Sequence, residues 1–169
     1  IGIEFYQRML KEEVEKQKNN QNTDEDDFAD FEFNAYFEYY IPKNYIGDDI
    51  SRLIIYRKLT NAKNSTEIKD IIYEMSDRYG NYPYEVGNLI NLLQIKIKSI
   101  NFGIIKINIQ KNIIDLTFLN VSEKLSLILI NMVQDKFIKM KSPNSIQIRN
   151  TENEDLFYSI NLFYKKLGL

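Results

Sequence analysis

Apolar residues in this chain hold one spacing for a stretch and then change it, and those changes fix the kinds of element it can form. From Phe28 the period is two. Phe31, Phe33, Ala35, Phe37, Tyr39 and Ile41 fall on one side of an extended strand, with Glu32, Asn34, Tyr36, Glu38 and Tyr40 on the other. Pro42 stops the pattern, and Gly47 permits a tight loop before the next element. Three helical stripes then follow through short connections. Asp48 or Asp49 can cap a helix through about Thr60, with Ile50, Leu53, Ile54 and Tyr56 as its apolar side. Asn64 and Glu67 approximate a capping box for a helix carrying Ile68, Ile71, Ile72, Met75 and Tyr79, which Gly80 ends. Pro83 fits the first turn of a third helix, whose expected buried face is Val86, Leu89, Ile90, Leu93, Ile97 and Ile100.

The last third alternates between types. Ile104 to Ile109 and Ile113 to Leu119 are β-rich runs at hairpin distance, separated by Gln110, Lys111 and Asn112. Ser122 can cap a helix through about Lys139 with Leu125, Ile128, Leu129, Met132, Val133 and Phe137 along it. Ser145 to Arg149 reads as a short strand, and Thr151 with Glu154 as a capping box for a terminal helix with Leu156, Ile160, Phe163, Tyr164 and Leu167. At the other end, Ile3, Tyr6, Met9, Leu10 and Val14 mark an amphipathic helix to about Lys18. Asp24, Glu25, Asp26 and Asp27 follow in a polar segment that reads as a solvated linker. The expectation is a leading helix over 1–20, an acidic linker over 21–30 and an α+β domain over 28–169, with several helices packed on a small, mostly antiparallel sheet. A chain that starts at Ile1 and enters a helical pattern at once reads as a domain cut from a longer polypeptide.

Composition bears on chemistry more than on fold. The 169 residues include no Cys and no His, which removes thiolate nucleophiles, disulfides, the imidazole base and the commonest metal ligands. No catalytic, cofactor-binding or metal-ligating residue is expected, and neither is a membrane segment; a cytoplasmic monomer is the expectation. Glu74 and Asp77 share one helical face, but Arg78 lies four residues beyond Glu74, where a surface ion pair explains the arrangement. Lys96, Lys98, Lys106, Lys111, Lys124, Lys136, Lys139 and Lys141 stand against Asp115, Glu123 and Asp135, a local balance of +5 in a chain whose total is −2. That stretch, 96–141, could meet phosphate as a DNA-binding accessory surface, although it lacks arginine clusters and stacking aromatics, and a solvated face is the expected reading.

Three blocks together resemble a known family. Ile1-Gly2-Ile3-Glu4-Phe5-Tyr6-Gln7-Arg8-Met9-Leu10 with Glu12-Glu13-Val14 is similar to the segment closing the motor of bacterial transcription-repair coupling factors. Ile41-Pro42, Tyr45-Ile46, Arg52-Leu53 and Tyr56-Arg57-Lys58-Leu59 resemble the loop and first helix of that family's C-terminal (TRCF) domain. Asp77-Arg78-Tyr79-Gly80 with Pro83 and Val86 resembles its aspartate-arginine-aromatic-glycine signature, and Glu74 matches the acidic residue three before the aspartate. Gly47, Ser76 and Asn81 depart from the family's pattern, standing where a proline, an aliphatic and a proline are usual. The resemblance implies a parent that uses ATP and magnesium in its motor to translocate on DNA, displaces stalled RNA polymerase and recruits the excision-repair damage sensor Uvr-A. It also implies that this domain is regulatory rather than catalytic. Through Glu74, Asp77 and Arg78 it would dock on the N-terminal Uvr-A-binding module of the same parent and cover its recruiting surface.

Overall fold

The computed structural model describes residues 31–149 and 156–168, which divide into two units, one over 37–97 and the other over 31–36 with the residues from Lys98 onward. The expected helix from Ile3 to Lys18, the acidic linker and the capping box at Thr151 and Glu154 lie outside the described residues.

The first unit is built by the three helical stripes. Helix α1 (Asp49–Asn61) starts where the Asp48 carboxylate accepts from the Ser51 N–H at 2.7 Å. Its buried face is Arg52, Ile55, Tyr56 and Leu59, not the expected Ile50 and Ile54, which are 69% and 49% exposed. The reason is polar. The Arg52 guanidinium donates to the buried Ile46 carbonyl at 2.8 Å and pairs with Asp49, and the Tyr56 hydroxyl accepts from the Ile41 N–H at 2.6 Å. Satisfying those inner groups turns Ile50 and Ile54 outward.

Helix α2 (Ser65–Tyr79) is capped as expected, with the Asn64 side chain accepting from the Thr66 and Glu67 N–H groups, while the Glu67 carboxylate reaches back to the Lys63 N–H. Ile68 and Met75 are fully buried, and Ile71, Ile72 and Tyr79 pack half-buried against the same core. Gly80 ends the helix at φ +80°, a conformation that only glycine adopts without strain. Helix α3 (Tyr84–Ile100) adds Val86, Leu89, Ile90 and Leu93 to that core. Leu92, Ile95 and Ser99 are buried as well, so α3 is covered on more than one side, whereas Ile100 is 49% exposed rather than buried as expected. Each fully buried aliphatic side chain contributes about 1.5–3 kcal/mol, and several of them hold α1 and α2 firmly.

Among the described residues the second unit has a five-stranded sheet and two helices. Its strands β1 (Glu32–Ala35), β2 (Ile104–Gln110), β3 (Ile113–Phe118), β4 (Ile138–Ser142) and β5 (Ser145–Arg149) lie in the order β1-β2-β3-β5-β4. Of these strands, β1 and β2 pair in parallel and the other neighbours pair antiparallel. Period-two alternation puts Ala35, Ile109, Ile114, Ile148 and Ile138 in one row, and Asn34, Asn108, Asp115, Gln147 and Lys139 in a row on the other face. The strand expected to continue to Ile41 pairs only over Glu32–Ala35, although alternation of burial persists to Tyr39. Helix α4 (Glu123–Gln134) is capped by Ser122 as expected but stops well before Lys139. Asp135 closes it, Lys136 takes φ 57°, and the chain turns into β4, where Ile138 pairs with Ile148 and Met140 with Ile146. Helix α5 (Leu156–Leu167) buries Ile160, Phe163, Tyr164 and Leu167 as its spacing requires, and the Tyr164 hydroxyl shares a hydrogen bond with Ser99. The α+β class, with a mostly antiparallel sheet, is as the pattern expected.

Candidate docking face

The three charged residues singled out in the sequence lie in the last two turns of α2, and of them Asp77 falls opposite the buried Ile68 and Met75. Glu74 is half-buried at the seam with α1. Its Oε2 accepts from Lys58 Nζ at 2.6 Å and its Oε1 from Arg78 at 3.3 Å, so one carboxylate holds two cations. The Lys58 hydrogen bond, with Arg78 adding to it, keeps the Glu74 carboxyl below the usual carboxylate range. Lys58 is the member that local spacing could not supply, since it lies sixteen residues away and meets Glu74 only because α1 and α2 fold against each other.

Asp77 is exposed and makes no ion pair among the described residues. Arg78 is held on two sides, by Glu74 and by the Tyr79 ring 5.1 Å from its guanidinium carbon. Tyr79 in turn packs edge-on against Tyr45 at 6.0 Å, and the Tyr45 hydroxyl donates to the Gly80 carbonyl at 2.9 Å. Burial raises the Tyr45 pKa, with Tyr79 and Tyr82 adding to the shift, so the hydroxyl stays a donor at neutral pH. The loop bearing Tyr45 and Ile46 therefore fastens the start of α1 through Arg52 and the end of α2 through Gly80. The signature rests on a braced support.

The lysine-rich stretch is less available than its sequence promised. Lys96 is only 4% exposed, which corrects the expectation of a solvated side chain there. Lys106 pairs with Glu32 at 2.5 Å, Lys141 with Asp115 at 3.0 Å, and Lys98 donates to Asn161 at 3.1 Å. Lys111, Lys124, Lys136 and Lys139 are exposed. Among the described residues no group of three or more His, Cys, Asp or Glu is placed to hold a metal ion, and no helix is long and apolar enough to cross a membrane.

The TRCF domain model matches residues 36–126, from the end of β1 into α4. The chain belongs to the TRCF domain family. Its similarity to the curated TRCF-bearing proteins agrees. The transcription-repair-coupling factor of Staphylococcus aureus (strain USA300) is 31% identical over 116 residues, covering 69% of this chain and 10% of that protein. The factor of Borreliella burgdorferi is 25% identical over 178 aligned positions, covering 100% of this chain and 15% of the relative. This TRCF chain therefore spans only 10% to 15% of the length of those relatives. The crystal structure of a C-terminal domain of a transcription-repair coupling factor shares its fold, with a TM-score of 0.65 at 19% identity, over 82% of this chain and 91% of that one.

Proposed function

We propose that this TRCF domain is the regulatory, non-catalytic part of a transcription-repair coupling factor, acting as a cytoplasmic monomer. It docks through Glu74, Asp77 and Arg78 on the N-terminal Uvr-A-binding module of the same parent and so limits recruitment of Uvr-A. ATP, magnesium, DNA and RNA polymerase are handled by the rest of that parent. The observation that carries the reading is the placement of the signature: Asp77 has no ion-pair partner among the described residues, and Arg78 is fixed beside it on a helix whose other face is buried. Charge-assisted contacts from such pre-positioned groups set register and partner choice. The test is titration of this chain against the isolated N-terminal module at concentrations approaching millimolar, since linkage within one polypeptide supplies an effective concentration of that order. Binding that disappears in the Glu74→Ala/Asp77→Ala variant is expected. No binding by the unaltered chain refutes the reading.

A further inference from the structure

Strand β4 closes one edge of the sheet. It pairs with β5, and among the described residues no strand lies on its other side, so half of its backbone N–H and C=O groups face outward. The middle of the strand is open to solvent, with Lys139, Met140 and Lys141 all exposed. Lys139 stands in the row of Gln147 and Asp115, and Lys141 Nζ reaches Asp115 Oδ2 at 3.0 Å, so both lysines belong to the polar face of the sheet. Met140 pairs with Ile146 on the opposite face and is 39% exposed. Asp115 compensates Lys141. Lys139, and Lys136 in the turn that leads into β4, are exposed and make no ion pair among the described residues. We propose that the β4 edge receives an extended acidic peptide as an added strand, with its carboxylates on the lysine side and apolar side chains on the Met140 side. The inference is independent of the docking reading, because β4 and the Glu74 signature belong to different units.

The charge pattern of the edge selects that occupant. A second copy pairing antiparallel through β4 would set the lysines of both strands side by side on one face, and like charges directly opposite one another destabilise a ladder. Edge lysines guard against indiscriminate pairing, but they do so by charge, and a strand of opposite charge meets attraction at the same positions. A nucleic-acid backbone could use the lysines but neither the open ladder nor Met140. In strand addition the main-chain hydrogen bonds supply affinity and the alternate side chains supply selection. The polar face beside the edge is already ordered for this, since Asp115 holds Lys141 and also accepts from Gln147 Nε2 at 3.0 Å.

The test is fluorescence anisotropy with a labelled peptide that alternates aspartate and valine, titrated with this chain. Binding is expected, together with hydrogen-exchange protection of the outward β4 amides. Lys136→Gln/Lys139→Gln should weaken it about tenfold and leave the thermal midpoint unchanged, since both side chains are exposed. The control is the same peptide with its backbone N-methylated, which keeps the charge but cannot donate to a ladder. It should not bind. Equal binding of the methylated peptide would reduce the contact to charge alone and overturn the proposal. No binding of the unmodified peptide up to millimolar concentration would overturn it as well, leaving the lysines only to keep the edge unpaired. Duplex DNA that displaces the peptide and depends equally on Lys136 and Lys139 would make phosphate the occupant and overturn it too.

Discussion

Arg52→Met separates the polar role of Arg52 from its bulk. Arg52 is 7% exposed, and its guanidinium donates to the Ile46 carbonyl at 2.8 Å, which Ile46, itself 1% exposed, holds away from water. Methionine keeps an unbranched apolar stem in the same space, so most of the burial is retained. What is lost is the donor. Leaving a buried carbonyl unsatisfied costs about 1–3 kcal/mol. The Arg52 pair with Asp49 adds less, because the Asp49 side chain is 59% exposed and such pairs contribute at most about 1 kcal/mol. Relief of guanidinium desolvation offsets part of this, and the expected net loss is about 2 kcal/mol. With a urea dependence of about 2 kcal/mol per molar, the unfolding midpoint of the first unit should fall by about 1 M. Circular dichroism at the helical band gives the midpoint, and amide exchange in α1 assigns the loss to that unit. Asp49→Asn, the control, should shift the midpoint by less than half as much. An Arg52→Met midpoint equal to that of the unaltered chain would refute the claim that the Arg52–Ile46 bond sets the rotation of α1.

Gly80→Ala should lower stability by about 1 kcal/mol or more in a urea titration, because alanine is strained at φ +80°. Gly47→Ala should be nearly silent in the same titration, since the nearest atom to an added Cβ there is 3.7 Å away. Glu74 has its carboxyl held low in the folded state, first by Lys58 and then by Arg78, so its stabilising share is full above the ordinary carboxylate pKa and fades as pH falls through the depressed value. In a carbon-detected titration, Lys58→Met should move the Glu74 midpoint upward; an unmoved midpoint would mean that the seam does not persist in solution.

Helices with an unbroken apolar stripe and a recognisable cap were legible in the sequence, as α2 shows with Asn64, Ile68 and Met75. The rotation of α1 was not, because apolar spacing treats a buried arginine as surface and cannot know that a carbonyl waits for it. The end of α4 was hidden for another reason. Val133 and Phe137 continue the helical spacing past Gln134, and only the positive φ at Lys136 and the pairing of Ile138 and Met140 with β5 reveal the strand. At the site, the sequence held Glu74 and Arg78 one turn apart but not Lys58, whose approach is a product of tertiary packing. The same blindness made the lysine-rich stretch look freer than it is, since the partners Glu32, Asp115 and Asn161 come from distant positions.

Strand β1 precedes the helices of the first unit in the chain, yet its parallel partner β2 follows them, with residues 36–103 between the two strands. On a ribosome β1 emerges early and must wait for the helical stretch to be made before its neighbour exists. Closing so long an unfolded loop costs entropy, and parallel pairing across it is intrinsically slow. Helices that condense first remove most of that disorder. The sheet therefore depends kinetically on a segment that contributes no strand to it, and Arg52→Met should slow β1–β2 closure in refolding even though Arg52 lies outside the sheet. A closure rate left unchanged by that variant would show that the sheet assembles without waiting for the helices.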